Sequence, residues 1–285
     1  MQCGRYAEGK MKRGLKYAAS LTAAFFCLGG ALLQAQAQKG YSETRDADFQ
    51  GRAAVKLRYS PFKDLSLQLG GQVRAKDNFT SFDRGVVNLG VKYSPWKYLS
   101  VLCSYDFHAI KARRDGEDYC RMKHRLSAGL EGKVTAARVV KFSLKEQWRC
   151  TWRADSVNLA EKPNPAMDLC SRLRVGYSPR HLPLEPYLSF ELRNTLNANR
   201  FDLTFLKDNS GGGKPSGVGN YISALIYTAG VEYRFNRHDS IDAYYSFYDD
   251  RAYSANIGKN SGSLNRMVYS RLLRSIIGVE YVHRF

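Results

Sequence analysis

The stretch Leu65-Ser66-Leu67-Gln68-Leu69-Gly70-Gly71-Gln72-Val73-Arg74-Ala75 alternates apolar and polar side chains almost position by position. A β-strand turns successive side chains to opposite faces, so this alternation predicts sheet with one apolar and one polar face. The same period of two governs its neighbours. Residues 51–59 set Ala53, Val55, Leu57 and Tyr59 against Arg52, Lys56 and Arg58, and residues 87–93 set Val87, Leu89, Val91 and Tyr93 against Asn88 and Lys92. Further segments follow at 98–109, 122–132, 137–149, 168–177, 186–196, 222–235, 240–248 and 270–285, which brings the count to eleven. Several run about 9–12 residues, beyond the usual ~5–6 of a soluble strand and matched to a tilted bilayer crossing. Aromatics make up 13% of the chain, too many for a disordered one. Outside the N-terminus no apolar run approaches the ~20 residues of a membrane helix.

The connections sort by length. Short turns are expected at Ser60–Asp64, Ser94–Lys97, Glu131–Ala136, Ser178–Leu184 and Asn236–Asp239, and longer polar links at 76–85, 110–121, 150–167, 197–220 and 249–269. Short periplasmic turns opposite long external loops are the mark of an outer-membrane barrel. Tyr-Ser-Pro recurs at 59–61, 93–95 and 177–179, where strands meet short turns. Tyr59, Tyr93, Tyr177 and Tyr233, with Phe62 and Trp96, predict one interfacial belt, and Phe107, Trp148 and Phe247 the other. The expected fold is therefore all-β: an antiparallel up-and-down transmembrane β-barrel with a periplasmic C-terminus. Single-chain bacterial barrels normally have even strand numbers. Twelve strands are expected, with residues 40–48 as a weak first strand, and ten is the alternative.

The N-terminus reads as an export signal. Lys12, Arg13 and Lys16 precede an apolar run from Tyr17 to Leu33, and Ala35-Gln36-Ala37 fits a cleavage site. Residues 1–37 are expected to be a signal peptide, with Met11 a candidate true start, and residues 38–285 the barrel domain. Cleavage takes the chain from 44 basic and 26 acidic side chains to 39 and 25, a net charge of +14. For an exported protein that charge points to outer-membrane lipid and lipopolysaccharide or small anions, and not to nucleic acid. On the last strand Ile277, Val279, Tyr281 and Phe285 share a face, and its final aromatic resembles the signal read by the barrel assembly machinery.

Phe82-Asp83-Arg84, Val91-Lys92-Tyr93-Ser94-Pro95-Trp96-Lys97, Lys123-His124-Arg125-Leu126, Phe142-Ser143-Leu144-Lys145-Glu146, Leu173-Arg174-Val175, Pro186-Tyr187-Leu188 and Gly230-Val231-Glu232-Tyr233 occur in that order before the final strand. This succession, over roughly residues 49–285, resembles an uncharacterised Bacteroidetes family of outer-membrane barrels known only as a domain of unknown function. The resemblance implies a barrel in a Gram-negative outer membrane and carries no activity or cofactor.

Chemistry-bearing residues are sparse. Cys120 and Cys150 lie symmetrically about a turn centred near 135 and fall on one face, which makes them candidates for a cross-strand disulfide in an oxidising compartment. The remaining alternative is free thiols. No paired short cysteine spacing suggests a metal site, and no cofactor is expected. Asp106 and His108 share a polar face, and His124 opens the next strand close to Ser127. A carboxylate-oriented histidine is the base that a lipid hydrolase or acyltransferase needs, although parity separates His124 from Ser127. The polar face also gathers Arg125, Lys141, Lys145, Arg172, Arg174 and Arg193. Two readings of that face stand side by side, a salt-bridged plug and a porin-like anion-permeable constriction. An enzyme is the less favoured class.

Overall fold

The computed structural model describes residues 41–114, 116–137, 139–154, 163–179, 182–200, 217–257 and 264–285. They belong to one compact unit, Gly40–Phe285. The expected signal peptide, the Met11 start and the cleavage point after Ala37 lie outside the described residues.

Eleven strands form the unit: β1 Tyr41–Phe62, β2 Leu65–Lys76, β3 Ser81–Trp96, β4 Leu99–Arg114, β5 Glu117–Ala136, β6 Val140–Arg153, β7 Ala166–Tyr177, β8 Leu184–Arg200, β9 Gly217–Arg234, β10 Asp239–Ile257 and β11 Leu264–Arg284. Each strand pairs antiparallel with the next, and β1 closes the barrel against β11. The closing pair is parallel, in an unbroken ladder from Tyr41↔Met267 to Arg58↔Arg284. Every alternating segment read from the sequence is one of these strands.

Two expectations are corrected. The barrel has eleven strands among the described residues, neither twelve nor ten. Residues 41–48 do form strand, but they continue without a turn into 49–62, so they lengthen β1 instead of adding a partner. The parallel seam is what lets an odd number close. The second correction concerns the links opposite the short turns. The strands run into them, so that only 77–80 separates β2 from β3 and only 115–116 separates β4 from β5. In the first of these turns Asp77, Asn78 and Phe79 all take positive φ, a region Asp and Asn tolerate better than most residues. The Asp48 carboxylate accepts from the Asp77 amide at 2.9 Å, and the Phe79 ring stands edge-on to Phe49 at 5.0 Å.

Parity holds around the wall. Leu69, Leu89, Val101, Leu130, Leu188, Val231 and Ile277 are exposed on the outer surface, while Gln68, Asn88, Ser104, Ser127, Ser189, Thr228 and Glu280 face the lumen. The outer band ends in exposed aromatics at the short-turn end, where Tyr59, Phe62, Tyr93, Trp96, Tyr177, Tyr233, Phe235 and Phe285 collect. Trp148, Trp152 and Phe82 stand toward the other end. Exposed apolar surface of this extent is rare on a water-soluble protein.

Candidate functional site

The polar faces of the strands enclose a cavity of about 810 Å³. Its wall carries fifteen Lys and Arg side chains against seven Asp and Glu, so the lumen is strongly basic. The six basic residues singled out from sequence, Arg125, Lys141, Lys145, Arg172, Arg174 and Arg193, all line it.

Toward the short-turn end each of four glutamates is ion-paired, and three of them take two cations each. Lys56 on β1 meets Glu280 on β11 at 2.6 Å, and Lys92 on β3 reaches past β4 to Glu131 on β5 at 2.6 Å, where Lys133 joins at 3.3 Å. Glu185 takes both Lys141 and Arg234, and Glu232 takes both Arg234 and Arg284, at 3.3 and 3.2 Å. These pairs lie within one strand or join strands that are adjacent or separated by one, so they run along the wall.

Midway up, the balance changes. The Glu191 carboxylate, 3% exposed, accepts from Arg172 Nε at 2.8 Å and from Arg193 at 3.1 Å, with Arg149 at 3.5 Å. Three guanidinium groups thus share one carboxylate. Nearby the Tyr248 hydroxyl accepts from Arg52 at 3.3 Å, and Arg274 lies over the Tyr248 ring at 5.2 Å. Gln72, in the amide orientation that satisfies its neighbours, accepts from Arg52 Nε at 3.2 Å and from Arg74. Arg125 Nε donates to the Thr151 hydroxyl at 3.2 Å. Arg74, Arg125 and Lys145 form no ion pair among the described residues.

No protein-family model matches this chain, and no curated protein matches it. The lumen has to be read from its own chemistry.

Two tyrosines lie against the inner wall. Tyr187 donates to Asp242 at 3.0 Å and lies beneath Arg174, whose guanidinium is 3.6 Å from the ring centre. Its ring folds flat against Gly230 on the neighbouring strand, where an added Cβ would stand 2.6 Å from the tyrosine hydroxyl. Tyr244 lies over Gly278 in the same way. The sequence reading did not give these aromatics a lumenal role, although the parity of β10 places Tyr244 and Tyr248 on the inner face.

The histidines do not form one site. His108 points into the lumen, 3% exposed, with neither ring nitrogen hydrogen-bonded. Asp106 shares its face but accepts from Asn88 instead. His124 lies on the outer face, where its Nδ1 meets the Tyr105 hydroxyl at 2.6 Å beside the Phe107 ring. The barrel wall therefore separates the two imidazoles, and neither has a hydroxyl nucleophile and an orienting carboxylate together.

The disulfide expectation is also corrected, since both thiols are free. Ala136 pairs with Val140, which centres the β5–β6 turn on 138, and Cys150 then faces Leu126. Cys120 sits six residues farther along β5, about 20 Å away at ~3.3 Å per residue, far beyond disulfide reach. Tyr281 pairs with Val55 on β1 and donates to Asp239 on β10 at 2.6 Å, and the Phe285 amide donates to the Arg58 carbonyl at 2.9 Å, so both proposed assembly-signal residues have a partner on the closing strand β1. Among the described residues no cluster of His, Cys, Asp or Glu has the makings of a metal site.

Proposed function

We propose that this chain is an integral outer-membrane β-barrel of a Gram-negative bacterium whose narrow basic lumen admits small anions. The observation that carries the reading is the polarity of one wall: an apolar outer band with aromatic rims, and an inner surface with fifteen cations against seven carboxylates. An outer band of that kind suits lipid and an inner surface of that kind suits anions. On this reading the short turns and C-terminus face the periplasm. The outer band contacts membrane lipid and lipopolysaccharide. Residues 1–37 are removed on export, and Tyr281 and Phe285 serve the assembly machinery. Kinship with the Bacteroidetes barrels belongs to the same proposal.

The alternative of a lipid hydrolase or acyltransferase gains no support from histidines on opposite faces of the wall. A plugged barrel with a structural or surface role is favoured by the ion pairs that engage the glutamates near the short-turn end.

The deciding experiment is planar-bilayer conductance of the refolded chain beginning at Gln38. Steady currents preferring chloride over potassium support the channel. A barrel that inserts and stays silent would establish the plug, and a chain that remains soluble without detergent would sink the membrane reading itself.

A further inference from the structure

The upper lumen has more cation than its own carboxylates neutralise. Arg74 and Arg125 have only neutral hydrogen-bond partners, Gln72 and Thr151. Asp106 faces Arg125 in the β4–β5 register but accepts from Asn88 and forms no ion pair with it. Charges enclosed by an apolar wall are costly unless paired, so a further anion here would be stabilised. His108 supplies an independent pointer. It stands on β4 with both nitrogens shielded from solvent and without a partner. In the strand register His108 pairs with Val86 on β3 and Lys123 on β5. Arg125 stands one inward-facing position along from Lys123, and Arg74 pairs with Arg84, one inward-facing position along from Val86. Arg84 is held by Asp83 at 2.6 Å, whereas Arg125, Arg74 and Lys123 have no ion pair among the described residues.

We propose that Arg74, Arg125 and His108 form a binding site for hydrogen phosphate inside the lumen. The assignment rests on the basic lumen of the channel reading and names its ligand class. Guanidinium groups bind tetrahedral and planar oxyanions through paired N–H donors, a geometry that a spherical chloride cannot use. Arg74 on β2 and Arg125 on β5 approach from strands separated by β3 and β4, which suits an anion with several acceptor oxygens. A neutral imidazole has one donor and one acceptor nitrogen. Hydrogen phosphate offers both counterparts, oxygens that accept and a P–O–H that donates. Sulfate offers acceptors alone. Arginine stems are long and rich in rotamers, so Arg74 and Arg125 can turn toward an anion in the lumen beside His108.

The test uses the refolded chain at pH 8, where an ordinary imidazole with a pKa of ~6.5 is neutral. Inorganic phosphate is titrated into chloride-carrying bilayers and, separately, into detergent-solubilised protein in a calorimeter. Phosphate is expected to block chloride current and to bind more tightly than sulfate. Arg74→Gln or Arg125→Gln should raise the half-blocking concentration about tenfold, the loss expected for one charge-assisted hydrogen bond. His108→Ala should erase the preference over sulfate. Neither arginine has an ion pair to lose, and heat-modifiable gel migration confirms that each variant is folded. Chloride current untouched by phosphate overturns the site and leaves the channel standing. Phosphate binding in the calorimeter, weakened by the variants, in a barrel that carries no current upholds the site and removes the channel. Equal potency of sulfate and phosphate overturns the role of His108, and phosphate binding unchanged in both arginine variants overturns the whole assignment.

Discussion

Replacing Glu191 by Gln removes the one carboxylate that Arg149, Arg172 and Arg193 share. Two unit charges 4 Å apart attract by about 4 kcal/mol at an effective dielectric of ~20, and each arginine has a nitrogen 3.5 Å or less from a Glu191 oxygen. The gross attraction is thus on the order of 10 kcal/mol. Arg172, with 44% of its side chain exposed, contributes less than an equal share because solvent screens it. Desolvation and repulsion among the three guanidinium groups offset much of the remainder. Losing one partner of a buried ion pair typically costs about 3–5 kcal/mol, and Glu191→Gln should fall there. Urea unfolding of the barrel in lipid vesicles, followed by the emission of Trp148 and Trp152, reads this directly. The double variant Glu191→Gln/Arg193→Gln should recover about 0.5–3 kcal/mol, because one of the stranded charges has gone. In bilayers the single variant should also select more strongly for chloride. A destabilisation below about 1 kcal/mol, or a double variant no better than the single one, would show that the cluster is solvated and that the lumen is not a low-dielectric site.

Other outcomes follow from the two faces of the wall. Leu89→Arg, in the middle of the outer band, should destabilise the vesicle-embedded barrel by about 2–4 kcal/mol, and a neutral result in the same urea assay would argue against lipid at that face. Glu146 lies on that face between Leu144 and Trp148, with the Ser171 hydroxyl 2.6 Å away. Glu146→Leu should therefore stabilise the embedded barrel by about 1–2 kcal/mol, whereas a loss of stability would mean that the hydrogen bond from Ser171 outweighs the carboxylate's exposure on that face. Cys120 is exposed and should react with a maleimide in the folded protein, while the buried Cys150 and Cys170 react only on unfolding. Identical gel migration with and without reductant is expected as well, and a reductant-sensitive shift would contradict the register of β5 and β6.

The alternation in β2, β3 and β10 was legible because each side chain faces either the apolar outer band or the polar lumen, and the period of two survives any register. Turn centres were less legible. The β5–β6 turn was expected near 135, yet Ala137 takes a positive φ and the pairing is centred at 138. A three-residue error there moves the partner of any residue by six places, enough to separate Cys120 from Cys150. The polar hairpin tops of β4 and β5 read as loop because both of their faces beyond the apolar band are hydrophilic, and the pattern that marks a strand disappears. The arginine face was visible in the sequence, but the convergence on Glu191 was not. It depends on side chains from β6, β7 and β8 meeting across the curvature of the wall.

The alternation itself counted eleven strands, and the even-number expectation raised that to twelve; parity could not decide between them for a reason that bears on the fold. In an antiparallel pair and in a parallel pair alike, residues that face each other must share a side of the sheet, so parity is blind to direction. On the seam Ala54 faces Glu280 and Lys56 faces Val282, inner residues against inner residues, as an antiparallel seam would also demand. An even barrel returns its last strand antiparallel to its first, and an odd one cannot. Here eighteen consecutive parallel pairs join β1 to β11, with Lys56 and Glu280 bridged across them inside the lumen. Residues 41–48 supply eight of those pairs, and they have their partner on β11 alone, because β2 begins its pairing with β1 only at Gly51↔Ala75. The short weak strand that an even count required is instead the length that holds an odd barrel closed.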